Sequence, residues 1–191
     1  MRLSLQIVLL AGIGIPGTTS LLAGHTPGQK QVKPEPKIAP NLAREIHHQL
    51  LVVPYYSVFD SISFTLNGSK VTLTGQVLRP TLKASAEAAV RSIEGVDAVT
   101  NQIEVLPASP ADNELRRAVY RAIYEDSALA GYAVQAVPPI HIIVKNGNVA
   151  LEGSVNNVAD KNLASNRAGG VADVLSLTNN LGVRPKGSAA E

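Results

Sequence analysis

One segment of this sequence occurs twice, 78 residues apart, and this repeat constrains the fold more than any other feature. Residues 62–105 align with residues 140–183 without a gap, and 11 of the 44 aligned positions are identical. The clearest match pairs VTLTGQV (Val71–Val77) with VALEGSV (Val149–Val155). A repeat of this length is typical of tandem duplicated domains and not of a solenoid of short units. The chain is therefore expected to fold as two copies of one unit.

Each copy contains a predicted β-hairpin. Apolar and polar residues alternate in ISFTL and VTLTGQV of the first copy, and in IHIIV and VALEGSV of the second. The intervening turns contain Asn67-Gly68 and Asn146-Gly147, residue types that tolerate the positive φ of tight hairpin turns. The period of two and the turn residues together predict two antiparallel strands in each unit.

Helices are predicted before and after each hairpin, and a final strand closes each unit. Ser109-Pro110-Ala111-Asp112 and Asn157 with Asp160 carry the residue types of helix N-caps. Gly95 is a suitable residue to end the helix of the first copy, whereas Asp173 replaces it in the second, where a displaced or frayed helix end is expected. The fold class is therefore α+β, with two tandem αββαβ units, each a small mixed three-stranded sheet packed with two helices.

The glycines of the repeated strand, Gly75 and Gly153, have two interpretations. They could cradle a phosphate, or they could mark a bulge or a close approach of two backbones. The flanking sequences TGQVLRP and EGSVNNV lack the further glycines and the Lys or Ser/Thr helix start of a phosphate loop. The geometric interpretation is therefore favoured.

The two signatures of each copy resemble those of the BON family, bacterial domains named for osmotic-stress and nodulation proteins. The first signature is the glycine-containing strand, and the second is the closing GVDAVTNQIEV and DVLSLTNNLGV, which include Asn101 and Asn179. The resemblance covers nearly all of 41–183, with domain 1 at 41–106 and domain 2 at 109–184. It implies a non-catalytic envelope module that binds phospholipid or other envelope components, and it brings no catalytic or cofactor-binding residues.

The N-terminus has the anatomy of a secretory signal peptide. Arg2 precedes an apolar run from Leu3 to Ile15, and small residues follow Pro16-Gly17. We assign 1–23 to a signal peptide, with an uncleaved N-terminal anchor as the alternative, 24–40 to a proline-rich linker and 185–191 to a C-terminal tail. A periplasmic or otherwise secreted location is expected.

Composition disfavours several classes of function. The chain has no cysteine, which removes disulfides and thiolate chemistry, and its formal charge of +2 argues against a nucleic-acid partner. His47 and His48 are adjacent on a predicted helix instead of four residues apart, so a metal site is not expected. No nucleophile motif or carboxylate pair is present, and we expect neither enzymatic activity nor a cofactor.

Two loops that precede the hairpins are the candidate contact sites. VVPYYSVFD (52–60) and AGYAVQAVPPI (130–140) are apolar and proline-bearing, and they hold four of the seven aromatic residues. Such loops either pack as core or between units, or they meet a partner. The candidate contact residues are Tyr55, Tyr56, Phe59, Tyr132, Pro138 and Pro139.

These features lead to two hypotheses of function. In the first, a tandem protein binds membrane phospholipid or envelope components and supports envelope integrity or the stress response. In the second, the chain is an interaction subunit or accessory of an envelope transport or secretion assembly, or a periplasmic holdase. The sequence leaves the ligand and the oligomeric state open.

Overall fold

The computed structural model describes residues 40–184. The predictions of a signal peptide over 1–23, of all but the last residue of the linker, and of the tail 185–191 lie outside these residues. Within 40–184 no helix is both long and apolar enough to cross a membrane.

The described residues form two units with the same order of elements, which confirms the α+β class. Domain 1 comprises α1 (Pro40–Leu51), β1 (Ser61–Asn67), β2 (Lys70–Val77), α2 (Pro80–Arg91), β3 (Ala98–Asn101) and β4 (Glu104–Val105). Domain 2 comprises α3 (Pro110–Tyr124), a 3-10 segment (Ala130–Val134), β5 (Ile140–Lys145), β6 (Asn148–Val155), α4 (Val158–Gly169), β7 (Ser176–Asn179) and β8 (Gly182–Val183).

Each sheet is mixed, with its second strand at the centre. β1 pairs antiparallel with β2, and β3 and β4 pair parallel with β2. Domain 2 repeats this pairing, with β6 at the centre. One face of each sheet packs against the two helices, and Leu73 and Leu151 are fully buried there. The other face of each sheet carries no helix of its own unit.

A repeated asparagine explains why the closing strand is split in two. Asn101 Nδ2 donates to the carbonyl of Lys83 on α2 at 2.9 Å, while its Oδ1 accepts from Ile103 N at 3.1 Å. Asn179 makes the equivalent bonds to Lys161 and Leu181. The asparagine side chain therefore takes the place of a strand partner at the break and links the closing strand to the helix. Both asparagines have this structural role.

In domain 1 the two residues between the hairpin strands lie one position later than the predicted Asn-Gly pair. Asn67 is the last residue of β1 and pairs with Lys70, so the turn is Gly68-Ser69. In domain 2 the turn is Asn146-Gly147, with φ of 51° and 75°. The two Asn-Gly pairs are 79 residues apart and the strands are 78 apart. The register of the strands, and not the Asn-Gly pair, thus sets the position of the turn.

The glycines of the central strands are required by close backbone contact. Gly75 has φ of +124°, and a Cβ there would lie 2.1 Å from the carbonyl oxygen of Ser61. Gly153 has φ of +104°, and its Cβ would lie 2.1 Å from the carbonyl oxygen of Pro139. Both the conformation and the space exclude a side chain, so the geometric interpretation is confirmed.

The predicted fraying of the second helix end is wrong. α2 and α4 have the same length, and their ends are offset by the repeat distance of 78 residues. Asp173 adopts φ of 68°, in the left-handed region that Gly95 occupies at 91°. Aspartate is one of the few other residues that visits this region, so the chain turns in the same way at both sites.

We predict that Asp173→Gly stabilises domain 2 by about 1 kcal/mol, because glycine enters the left-handed region without a Cβ penalty. Gly95→Ala is the matched opposite change, since a Cβ there meets only Leu42 Cδ2, at 3.9 Å, and the cost is therefore conformational. Urea unfolding at equilibrium measures both. Destabilisation by Asp173→Gly would contradict the prediction. It would show that the aspartate side chain stabilises the folded domain by more than the left-handed backbone conformation destabilises it.

Candidate functional site: the interdomain cleft

The two domains are joined by a short piece of domain 1 that packs into domain 2. We call Ser57–Asp60 the bridging segment. Val58 belongs to the buried core of domain 2, and Phe59 packs against that core and meets the ring of Tyr120 edge-on, with centroids 6.1 Å apart. The carbonyl of Val58 accepts from Ile142 N on β5 at 2.8 Å. A loop of the first repeat thus supplies core residues to the second.

A buried aspartate holds the bridging segment in shape. Asp60 Oδ2 accepts from the backbone N of Ser57 at 3.1 Å and from its hydroxyl at 2.6 Å. Its other oxygen accepts from Leu78 N, just after β2, at 2.8 Å. Asp60 is only 2% exposed. Three bonds to one carboxylate fix the segment before it enters domain 2, because a buried charge needs its hydrogen-bonding capacity filled.

Three residues along the outer edge of β5 have backbone groups that are hydrogen-bonded by other elements. The Tyr124 hydroxyl donates to the carbonyl of Ile140 at 2.6 Å and accepts from its N–H at 3.2 Å. Beyond the Val58 contact to Ile142, Arg116 Nη2 donates to the carbonyl of Val144 at 2.5 Å. An edge strand with unpaired backbone groups invites pairing with another chain. Domain 2 removes this opportunity with two α3 side chains and the bridging segment.

A third α3 residue holds the hairpin turn of the same strand. Asp112, predicted only as the acidic residue of the first helical turn, accepts from Asn146 N and Gly147 N, each at 2.9 Å. Ser109 caps the helix as predicted, accepting from Asp112 N at 3.1 Å. The sequence signal identified the helix start but not the contact that fixes β5 against α3.

Beside the bridging segment the domains leave an open cleft of about 740 Å³. Domain 1 contributes the end of α1, Tyr56 and the start of β1, and domain 2 contributes the segment before β5 and part of β6. The lining residues are His47, Leu50, Leu51, Tyr56, Ser61, Ile62, Ser63, Phe64, Gln135, Val137, Pro139, His141, Glu152, Gly153, Ser154 and Arg184. This mixture of aliphatic walls and a few polar groups is typical of a binding site.

His141 is the most unusual polar residue of the cleft. It is 8% exposed, its ring lies 5.5 Å from that of Tyr56, and its Nδ1 has no hydrogen-bond partner among the described residues. Burial lowers the pKa of His141. The backbone of Asp60 and Ser57 and the charges of Asp60 and Glu152 act in the opposite direction and raise it. Burial also raises the pKa of Tyr56 to about 12, although the hydrogen bond with the Ile62 backbone acts to lower it. Both rings are therefore neutral at the interface.

The structure divides the candidate contact residues between interior and surface. Tyr56 and Pro139 line the cleft, and Phe59 packs on the core of domain 2. Tyr132 is buried, where it donates to Asp160 Oδ2 at 2.5 Å and accepts from Asn156 N at 2.8 Å. Pro138 is half-buried. Only Tyr55 is largely exposed, so the contact residues named from sequence do not form one surface.

Sequence reasoning missed the polar residues of the cleft other than its tyrosine. Arg184 Nε donates to Ser154 Oγ at 2.9 Å, and Asn180 Nδ2 donates to Glu152 Oε1 at 2.8 Å. These residues come from the ends of strands distant in sequence. Between residues 40 and 184 no group of three or more potential metal ligands occurs.

We predict that His141 makes stability depend on pH. Its pKa in the folded protein is below the ordinary value of 6.5, so the unfolded chain binds the proton more readily. The stabilisation is complete above that value and is lost as the pH falls towards the folded pKa. The melting temperature should therefore fall between about pH 7.5 and about pH 5, and less so in His141→Phe. His48→Phe, which changes an exposed residue of α1, is the control, and an equal fall in His141→Phe would contradict the prediction.

We also predict that Tyr124→Phe destabilises the protein by about 1–3 kcal/mol, because the buried N–H and C=O of Ile140 lose their partner. Tyr120→Phe is the matched control. Its ring packs 4.8 Å from that of Tyr124, but its hydroxyl makes no hydrogen bond to any residue in 40–184. Chemical denaturation of both variants measures the difference, and equal stabilities would show that Tyr124 does not close the edge.

Comparison with known proteins gives a family and two distant likenesses. Residues 41–107 and 111–185 each match the family described as BON domain. No curated protein matches the sequence. Among solved structures, CdsD, a structural protein of the type III secretion system of Chlamydia trachomatis, is 13% identical with a TM-score of 0.33, over 77% of this chain and 94% of that one. Its C-terminal domain is 15% identical with a TM-score of 0.28, over 76% and 98%.

Proposed function

Because the chain belongs to the BON domain family, whose members are non-enzymatic, envelope-associated binding domains, we propose that it binds phospholipid membrane surfaces. In this role it acts in the periplasm and supports the integrity of the envelope under stress. The family match supports the envelope setting, and the surface of domain 1 supports the choice of ligand.

The observation that carries the proposal is an exposed apolar strip at the end of α1. Leu51, Val52 and Tyr55 lie within five residues of chain and are 40%, 57% and 73% exposed. Tyr55 has φ of 69°, an uncommon conformation for a residue other than glycine. Aliphatic and tyrosine side chains together suit the boundary between acyl chains and headgroups.

A cation accompanies the strip. The guanidinium of Arg79 lies 5.0 Å from the centre of the Tyr55 ring. This position places a positive charge next to the aromatic residue that would meet the headgroups, where a lipid phosphate offers it a partner. The side chains of the strip and Arg79 thus match the two layers of a bilayer surface.

The expected association is insertive and reversible. The formal charge of +2 gives little general attraction to anionic lipid, at about 1 kcal/mol per basic residue near the surface. Full burial of one aliphatic side chain contributes about 1.5–3 kcal/mol, and the strip offers few such groups. Binding to zwitterionic vesicles should therefore be comparable to binding to anionic ones.

Co-sedimentation with liposomes tests the proposal. Val52→Asp and Tyr55→Ala should each reduce the bound fraction, because they place a charge in the strip or remove its aromatic residue. Val158→Asp is the matched control, since Val158 is 60% exposed on α4, outside the strip. Failure of the unmodified protein to bind either type of vesicle would reject the lipid as ligand, and equal losses in all three variants would reject the strip as the contact.

A further inference from the structure

The two domains contain equivalent grooves, and residues 40–184 fill only one of them. In domain 2 the groove between the edge of β5 and α3 holds Val58 and Phe59 of the bridging segment. In domain 1 the groove between the edge of β1 and α1 forms one wall of the cleft. Comparison of the two shows what the open groove lacks and what it can accept.

The helices supply different residues to the two grooves. Ile46 and Leu50 of α1 are buried core residues, as are Val119 and Ile123 of α3, with the same spacing of four. In this register, Tyr120 and Tyr124 correspond to His47 and Leu51, and Arg116 corresponds to Ala43. Arg116 therefore has no counterpart in domain 1. Tyr56 takes the place of Tyr124, because its hydroxyl faces the backbone of Ile62, one repeat before Ile140.

The strands present the same backbone groups. Phe64 pairs with Leu73 as Ile142 pairs with Leu151, one repeat apart. Since Ile142 N–H points outwards to the carbonyl of Val58, the backbone groups of Phe64 also point outwards, and those of Leu66 follow two residues on. Within 40–184 no residue bonds to Phe64 N–H or Leu66 C=O on this side.

The surroundings of these free groups complete a site for a chain segment. Leu50, Leu51 and Phe64 offer an apolar floor, and His47 lies at the rim. His141 lines the opposite wall of the cleft, and its Nδ1 is buried. A partner strand would thus find a row of backbone groups and an apolar floor.

We propose that this groove of domain 1 binds an extended peptide segment of a partner protein by adding it as a strand to the free edge of β1. The protein's own occupant of the equivalent groove defines the preferred segment, an aliphatic residue followed by an aromatic one, as in Val58-Phe59. A carbonyl of the segment accepts from Phe64 N–H, as Val58 does from Ile142. A lipid does not offer donors and acceptors at the two-residue spacing of a strand edge, so the groups favour a peptide.

The site is separate from the apolar strip in its chemistry, although Leu51 borders both. The strip requires exposed side chains that enter a bilayer, whereas the groove requires the free backbone of β1. Peptide binding therefore does not rest on membrane binding, and the two can fail independently.

A peptide with the sequence YYSVFDS, that of residues 55–61, acetylated and amidated, is the probe. Titrated into the ¹⁵N-labelled full chain, it should produce saturable shifts of the Phe64 and Leu66 amides and slow the exchange of Phe64 N–H. A control peptide with serine in place of Val58 and Phe59 should produce none. Absence of shifts with the probe at millimolar concentration would overturn the proposal.

Two variants locate the site. Ala43→Arg introduces the residue that Arg116 provides in domain 2, and it should weaken peptide binding at least tenfold by occupying the edge. Val52→Asp, designed against the membrane strip, should leave peptide binding unchanged. The dispersion of the amide spectrum confirms that each variant is folded. If a variant does not fold, the shifts of Phe64 and Leu66 in the unmodified protein still test the proposal.

Three results would overturn the assignment. Unchanged affinity in Ala43→Arg would place the peptide elsewhere. Shifts centred on Ile142 and Tyr120 would show that the peptide displaces the bridging segment instead of entering the open groove. Protection of Phe64 N–H by phosphatidylcholine vesicles, without any effect of the peptide, would assign the groove to lipid.

Discussion

The contact between Val58 and β5 is the interaction on which the rest of the structure depends. Each αββαβ unit has only about 65 to 75 residues, a size at which a single core is marginal. The side chain of Val58 lies in the core of domain 2, and the carbonyl of Val58 accepts a hydrogen bond from Ile142 N–H. One residue thereby adds buried area and closes a strand edge. The two copies are consequently joined through a shared core and not through surface contact alone.

Further contacts between the domains lie beside the bridging segment. Lys145 Nζ lies 2.5 Å from Glu104 Oε1, but both side chains are more than 40% exposed, and such pairs contribute about 0–1 kcal/mol. The bonds from Gln76 and Lys145 lower the pKa of Glu104. The rings of Tyr56 and His141 pack with their centroids 5.5 Å apart, and burial lowers the pKa of the imidazole. These contacts add to the one that the bridging segment makes.

Duplication has produced two copies that are alike in their sheets and different at their edges. The glycines that allow close backbone contact and the asparagines that split the closing strand are kept in both. Tyr56 faces the backbone of Ile62 as Tyr124 faces that of Ile140, but within residues 40–184 the contacts of Arg116 and Val58 with β5 have no counterparts beside β1. The backbone groups of Phe64 and Leu66 are the part of the edge on which the proposed peptide binding rests.

The sequence by itself determined the elements, because helices and strands follow from local periodicity and from caps within one turn. Ser109 and Asn157 cap their helices as predicted, and Gly75 and Gly153 occupy positions that only glycine fits. Only the tertiary structure decided which loop residues are core and which are surface. Val58 and Ile142 are 84 residues apart, and no local pattern encodes their contact. The cleft, and the backbone groups of Phe64 and Leu66 to which no other part of 40–184 bonds, follow from that long-range packing, since they are the surfaces that it leaves uncovered.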